Sequence, residues 1–186
     1  MQSNEILAEA YRRVNATVHQ AAAELDGAGL AFQPEPGANS IAWLVWHLSR
    51  IQDDHISEIA GARQAWADPS WARRTGIYRD AMTKGQGDRP AEVAAVRPPG
   101  PDGLLAYHDT VMERTFSYLA GAADNDLDRI IDTSYTPPVS VGVRIVSVLN
   151  DNIQHAGQAL YLRGILDRMR IAGQPPSGAV AGLRAN

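Results

Sequence analysis

Three observations predict an all-α protein, a four-helix bundle. Four long stretches carry apolar residues at helical spacing. Glycine- and proline-rich segments separate them. The connections after the second and third stretches are long, as in bundles whose loops do more than turn the chain.

The first helix is expected over residues 4–25. Ile6, Leu7, Ala10, Val14, Val18, Ala21 and Leu25 form one stripe, with Glu5, Arg12 and Arg13 mostly off it. His19 falls on the far face and reads as a surface histidine. Residues 26–39 hold Pro34, Pro36 and Gly37 and read as a loop. Asn39 or Ser40 then caps a second helix over 40–60, which Gly61 ends. Its centre of burial runs through Ile41, Leu44, Leu48, Ile51 and His55, so periodicity nominates His55 as its buried histidine and puts His47 on the flank.

Residues 61–100 are irregular, with one short helix expected over 90–96. Trp66 and Trp71 suggest a wall that folds back over the bundle. The third long helix spans 102–120 through Leu104, Leu105, Val111, Met112 and Leu119. His108 lies on that stripe and reads as a core histidine bonded to a neighbour. A second connection follows, barred from regular structure by Pro137-Pro138, with a brief extended segment over 130–135. The fourth helix spans 141–168. Residues 1–172 are thus expected as one domain and 173–186 as a flexible tail.

Composition narrows the function. The formal charge of −4 comes without a basic run, so nucleic-acid and anionic-membrane partners are not expected. There is no cysteine, which excludes disulfides, thiolate metal sites and a cysteine nucleophile. The opening residues do not read as a signal peptide, and the most apolar run, 41–48, is too short to span a bilayer. A cytoplasmic location is expected.

The chemistry concentrates on the fourth helix. Asp151 and His155, four residues apart, project from one face in the sector of Val148 and Leu162. A carboxylate and an imidazole in an apolar sector need a partner. Each can satisfy the other, or a divalent metal can satisfy both, with His47 or His55 brought in by the second helix. An N,N,O ligand set would leave zinc one open position.

The segments NSIAWLVWHLSRIQDDH, LLAYHD and RIVSVLNDNIQHAGQALYLRG, in this order, resemble the DinB-like superfamily of metal-binding four-helix bundles. More closely they resemble the branch related to mycothiol-dependent maleylpyruvate isomerase and the mycothiol or bacillithiol S-transferases. The resemblance implies a Zn²⁺ or Ni²⁺ site at His47, Asp151 and His155, taking His47 in place of His55. Asp151 departs from the usual histidine or glutamate and is shorter. The implied function is metal-assisted S-transfer from a low-molecular-weight thiol to a small electrophile. Isomerase activity is not implied, because the isomerase's additional C-terminal domain has no counterpart in these residues. Arg50 and Arg163 are candidates for an anionic substrate, but salt bridges to a nearby acid such as Asp53, Asp54 or Asp167 are the preferred reading of both. Gln158, one turn from His155, is a candidate to support that ligand from behind or to line the pocket. A non-catalytic metal-binding stress module and a metal-dependent hydrolase would use the same ligands. A homodimer is expected, with Trp43, Trp46 and Trp66 feeding its interface.

Overall fold

The structure, a computed structural model, describes residues 2–172. In chain order its helices are α1 (Ser3–Ala22), α2 (Gly27–Leu30), α3 (Ile41–Ala60), α4 (Ser70–Thr75), α5 (Pro90–Ala94), α6 (Pro101–Gly121) and α7 (Val141–Ile171). The four long ones, α1, α3, α6 and α7, stay within three residues of their expected ends. α3 and α1 each pack against both α6 and α7, and so face each other across a diagonal. This is the expected four-helix bundle. Val14, Val18, Leu44, Leu48, Leu104, Val111, Ile145 and Leu162 are among the buried residues between the helices. The expected tail, 173–186, lies outside the described residues.

Helix ends follow local chemistry. The Ser40 hydroxyl accepts from the Trp43 backbone N–H at the start of α3, and Gly61 ends the helix in the left-handed region. α1 stops earlier than expected. Asp26 begins a new turn there, its carboxylate accepting from the Gly29 N–H, so part of the expected loop 26–39 is α2. The extended segment is shorter than expected: β1 (Ile130–Asp132) pairs antiparallel with β2 (Val139–Ser140), which leads directly into α7.

The largest departure is on α3. Residues 40–50 are buried without a break, including the flank that periodicity leaves near the surface. The reason is residues 61–100. They contain α4, α5 and a 3₁₀ turn at Ala65–Ala67, and they fold back on α3 and α6. Trp66 and Trp71 both pack edge-on against Tyr107 of α6. Trp43, Trp46 and Trp66 are therefore interior residues, at 6%, 0% and 5% exposure, and present no aromatic surface to a second copy.

Two histidines follow their expected roles. His108 is buried on α6, with Nδ1 2.8 Å from the Ser49 hydroxyl. His19 is partly exposed, and its Nε2 lies 2.7 Å from an Asp109 oxygen.

Candidate metal centre

α3 and α7 run side by side, and the residues that meet across them show their direction. His47 of α3 faces Asp151 and His155 of α7, while His55 of α3 meets Arg144 of α7. The helices are antiparallel, and one cleft runs between them.

At one end of this cleft His47, Asp151 and His155 each offer a ligand atom, all within 4.8 Å of one another. The two rings meet edge to face with centroids 4.9 Å apart. His47 is buried; Asp151 and His155 are half-buried, at the edge of the stripe rather than inside it. Periodicity thus mis-ranks the two α3 histidines. His47 is the covered one, because the wall closes over it, and His55 is the more exposed.

Hydrogen bonds settle which nitrogens are free. His47 Nδ1 lies 2.5 Å from the Lys84 carbonyl oxygen, which only accepts, so Nδ1 carries the hydrogen and Nε2 keeps its lone pair. His155 Nδ1 donates to Gln158 Oε1 at 3.0 Å, again leaving Nε2. His155 Nε2 is 3.5 Å from Asp151 Oδ1, too long for a good hydrogen bond. The other carboxylate oxygen, Asp151 Oδ2, is buried with no hydrogen-bond partner. Outer hydrogen bonds that orient metal-ligating imidazoles have this form. Burial lowers the pKa of His47, holding it neutral and ready to ligate. The Asp151 carboxylate raises that of His155, opposing its burial.

The residues fit a divalent ion. Two imidazole nitrogens and a carboxylate oxygen converge, and the unpartnered Oδ2 is the group an ion would satisfy. Ligands of a tetrahedral zinc stand about 3.4 Å apart, so small side-chain rotations would close this set. Three protein ligands leave a position open. The three residues themselves line a cavity of about 420 Å³, whose walls also include Trp43, Ile51, His55, Gly85, Gln86 and Ser147.

The other candidates stand elsewhere. Arg50 is fully buried. It donates to Asp53, Gln64, Tyr107 and the Ala81 and Thr83 carbonyls, and so holds the wall to α3. Arg163 pairs with Asp167 and donates to the Ala23 carbonyl. Neither lines the cavity, and nor does Gln158, whose contact is with the far nitrogen of His155.

Sequence reasoning missed the wall's share of the site. Trp43 stacks on His47, with centroids 4.5 Å apart and planes 10° apart, and donates from Nε1 to Asp88. Gly85 has φ +91° and lies so close that an added Cβ would stand 2.9 Å from Trp46 and 3.1 Å from His47 Nδ1. Only glycine lets the Lys84 carbonyl reach His47. The spacing Gly85-Gln86-Gly87 was the available signal, but it reads equally as a loose turn.

The comparisons agree with this architecture. Residues 10–159 match the DinB superfamily. The chain belongs to the DinB superfamily. No curated protein matches it. Among solved structures, the crystal structure of a conserved protein from Enterococcus faecalis is similar, with 28% identity and a TM-score of 0.83, covering 90% of this chain and 99% of that one. Among the described residues no helix is long and apolar enough to cross a membrane.

Proposed function

We propose that this DinB-superfamily chain is a metal-dependent S-transferase that joins a low-molecular-weight thiol to a small electrophile. The observation that carries the reading is the His47–Asp151–His155 set, with both Nε2 atoms free and one carboxylate oxygen unpartnered, opening onto a cavity. A divalent ion held there, Zn²⁺ before Ni²⁺, would favour the thiolate of a thiol bound at the open position. The chain has no cysteine of its own, so the nucleophile comes from outside.

The chain's residues orient rather than react. Lys84 and Gln158 fix the two rings, Asp151 supplies the negative charge that offsets a cation, and Ile51 and Val148 give the cavity an apolar floor. A hydrolase would want a base beside the open position. Among the described residues lining the cavity the one carboxylate, Asp151, belongs to the ligand set, and the one histidine outside that set, His55, stands about two helical turns from His47. This favours the thiol over water.

The test is incubation of zinc-loaded protein with mycothiol, bacillithiol or glutathione and a panel of electrophiles. Conjugate should form with at least one thiol and disappear, together with most of the bound zinc, in His47→Ala. Turnover with none of the thiols would overturn the reading.

A further inference from the structure

His55 lies outside the ligand set yet lines the same cavity. On α3, His47, Ile51 and His55 are successive residues of one face. On α7, Asp151, Val148 and Arg144 run alongside in the opposite direction. The cleft therefore has three zones: ligands at one end, the apolar Ile51 and Val148 in the middle, and His55 with Arg144 at the other.

The protonation of His55 is fixed by its neighbour. Arg144 Nη1 stands 2.9 Å from His55 Nδ1, nearer than the Glu58 carboxylate at 3.5 Å or that of Asp54 at 4.0 Å. A guanidinium has no acceptor, so the bare nitrogen of this pair must be Nδ1, and the ring hydrogen sits on Nε2. Arg144 is itself steadied by Asp132 at 3.3 Å. Burial and then the Arg144 cation lower the pKa of His55, which keeps the ring neutral. His55 thus offers a hydrogen-bond donor and cannot act as a base through Nε2.

We propose that the cleft is a two-point site, in which His55 Nε2–H recognises an oxygen acceptor on a ligand whose other end binds the metal. The ligand class is a short thiol carrying a carbonyl or amide oxygen, an assignment that rests on the thiol reading above. His47 and His55 are separated by about 12 Å of helix rise; less about 2.3 Å for a metal–sulfur bond and about 2.9 Å for the hydrogen bond, about 7 Å remains, the span of about five carbons between sulfur and oxygen.

Cobalt-loaded protein tests this without turnover, because sulfur-to-cobalt charge-transfer absorption reports thiol binding directly. The probes are 5-mercaptopentanamide and pentane-1-thiol, titrated into wild type, His55→Phe and His55→Gln. Wild type should bind the amide about 3- to 10-fold more tightly than the alkanethiol. That ratio should fall to about 1 in His55→Phe and recover in part in His55→Gln, which keeps a donor, with equal cobalt content in all three. A ratio of 1 in wild type, or one unchanged in His55→Phe, overturns the two-point site while leaving the thiol reading intact. No charge-transfer band with either probe overturns both. Nitrogen NMR of labelled histidine gives a second check: His55 should be protonated at Nε2 and bare at Nδ1, and the reverse overturns the proposal whatever the thiols do.

Discussion

Residues 61–100 and residues 122–140 are both long connections with prolines among them, and they are built in opposite ways. The first sends Trp66, Trp71, Ile77, Val93 and Val96 into the interior. The second buries none of its residues. The first is also pinned by charge. Asp53, buried on α3, accepts from the Ala65 and Trp66 backbone N–H groups at 2.8 and 2.9 Å, from Tyr107 at 2.9 Å and from Arg50 at 3.3 Å. The lesson is that length and breakers describe a connection's freedom poorly; its buried side chains decide whether it is a wall. The candidate site lies behind the connection that has them.

The sharpest way to break this contrast is to remove the pin. Asp53→Ala leaves Arg50 buried without its carboxylate and two backbone N–H groups without an acceptor. Breaking a buried pair from one side costs about 3–5 kcal/mol. Urea denaturation should show a loss of that size, and limited proteolysis should now cut within 61–100 before the helices. A loss under about 1 kcal/mol would mean that apolar packing alone holds the wall.

Acid sharpens the contrast by acting on the frame beneath both connections. Burial lowers the pKa of His108 from 6.5 to about 4. The unfolded chain then binds the proton more readily than the folded one. The stabilisation is fully present above pH 6.5 and is lost as pH falls towards about 4, amounting to about 3 kcal/mol. Chemical denaturation between these pH values should show a shallower decline for His108→Asn than for wild type. Parallel declines would show that His108 does not carry the effect.

Within the wall, Gly85 and Gly87 form a matched pair. Both have positive φ, +91° and +80°, so alanine is strained at either, by roughly 1–2 kcal/mol. At Gly87 an added Cβ meets nothing within 4 Å; at Gly85 it meets Trp46, Trp43 and His47. Gly85→Ala should therefore weaken zinc binding by about 10- to 100-fold, the usual scale for losing a bond that orients a ligand. Gly87→Ala should keep zinc affinity near wild type despite the same backbone strain. Competitive titration with a chromogenic chelator measures both, and equal losses would show that strain rather than contact controls His47.

Periodicity carried the four helices because each pairs an apolar stripe with a polar face, and burial of that stripe is local information. The same rule misplaced His47. Helical periodicity assumes one buried face, and α3 has two, the second covered by residues distant in sequence. The Asp151–His155 spacing was legible because one turn of helix sets it. Two parts were not legible. The Lys84 carbonyl is a backbone group that any residue would supply, and it reaches His47 only because Gly85 has no side chain. The pairing of Arg50 with Asp53 was legible from their spacing, but not that Ala81 and Thr83, distant in sequence, also bring carbonyls to the same guanidinium.

The smallest effect is expected in the connection without buried residues, and it tests the other half of the contrast. Residues 122–140 touch the bundle at a few points. Leu127 lies beside Gly142, Arg129 donates to the Ile59 carbonyl, and Asp132 pairs with Arg144. Tyr135 lies between β1 and β2, beyond those anchors, and is 61% exposed. Its ring gives up little water on folding, so Tyr135→Ser should change stability by no more than about 0.5 kcal/mol and leave zinc content unaltered. Trp66→Ser, at 5% exposure in the other connection, should cost several-fold more, on the order of 3–5 kcal/mol, because it empties a packed space against Trp46 and Tyr107. Side-by-side urea denaturation of the two variants measures the difference. A loss above about 1.5 kcal/mol in Tyr135→Ser would show that this connection is anchored through its tip, and exposure would then be a poor guide to which loops of this bundle are structural.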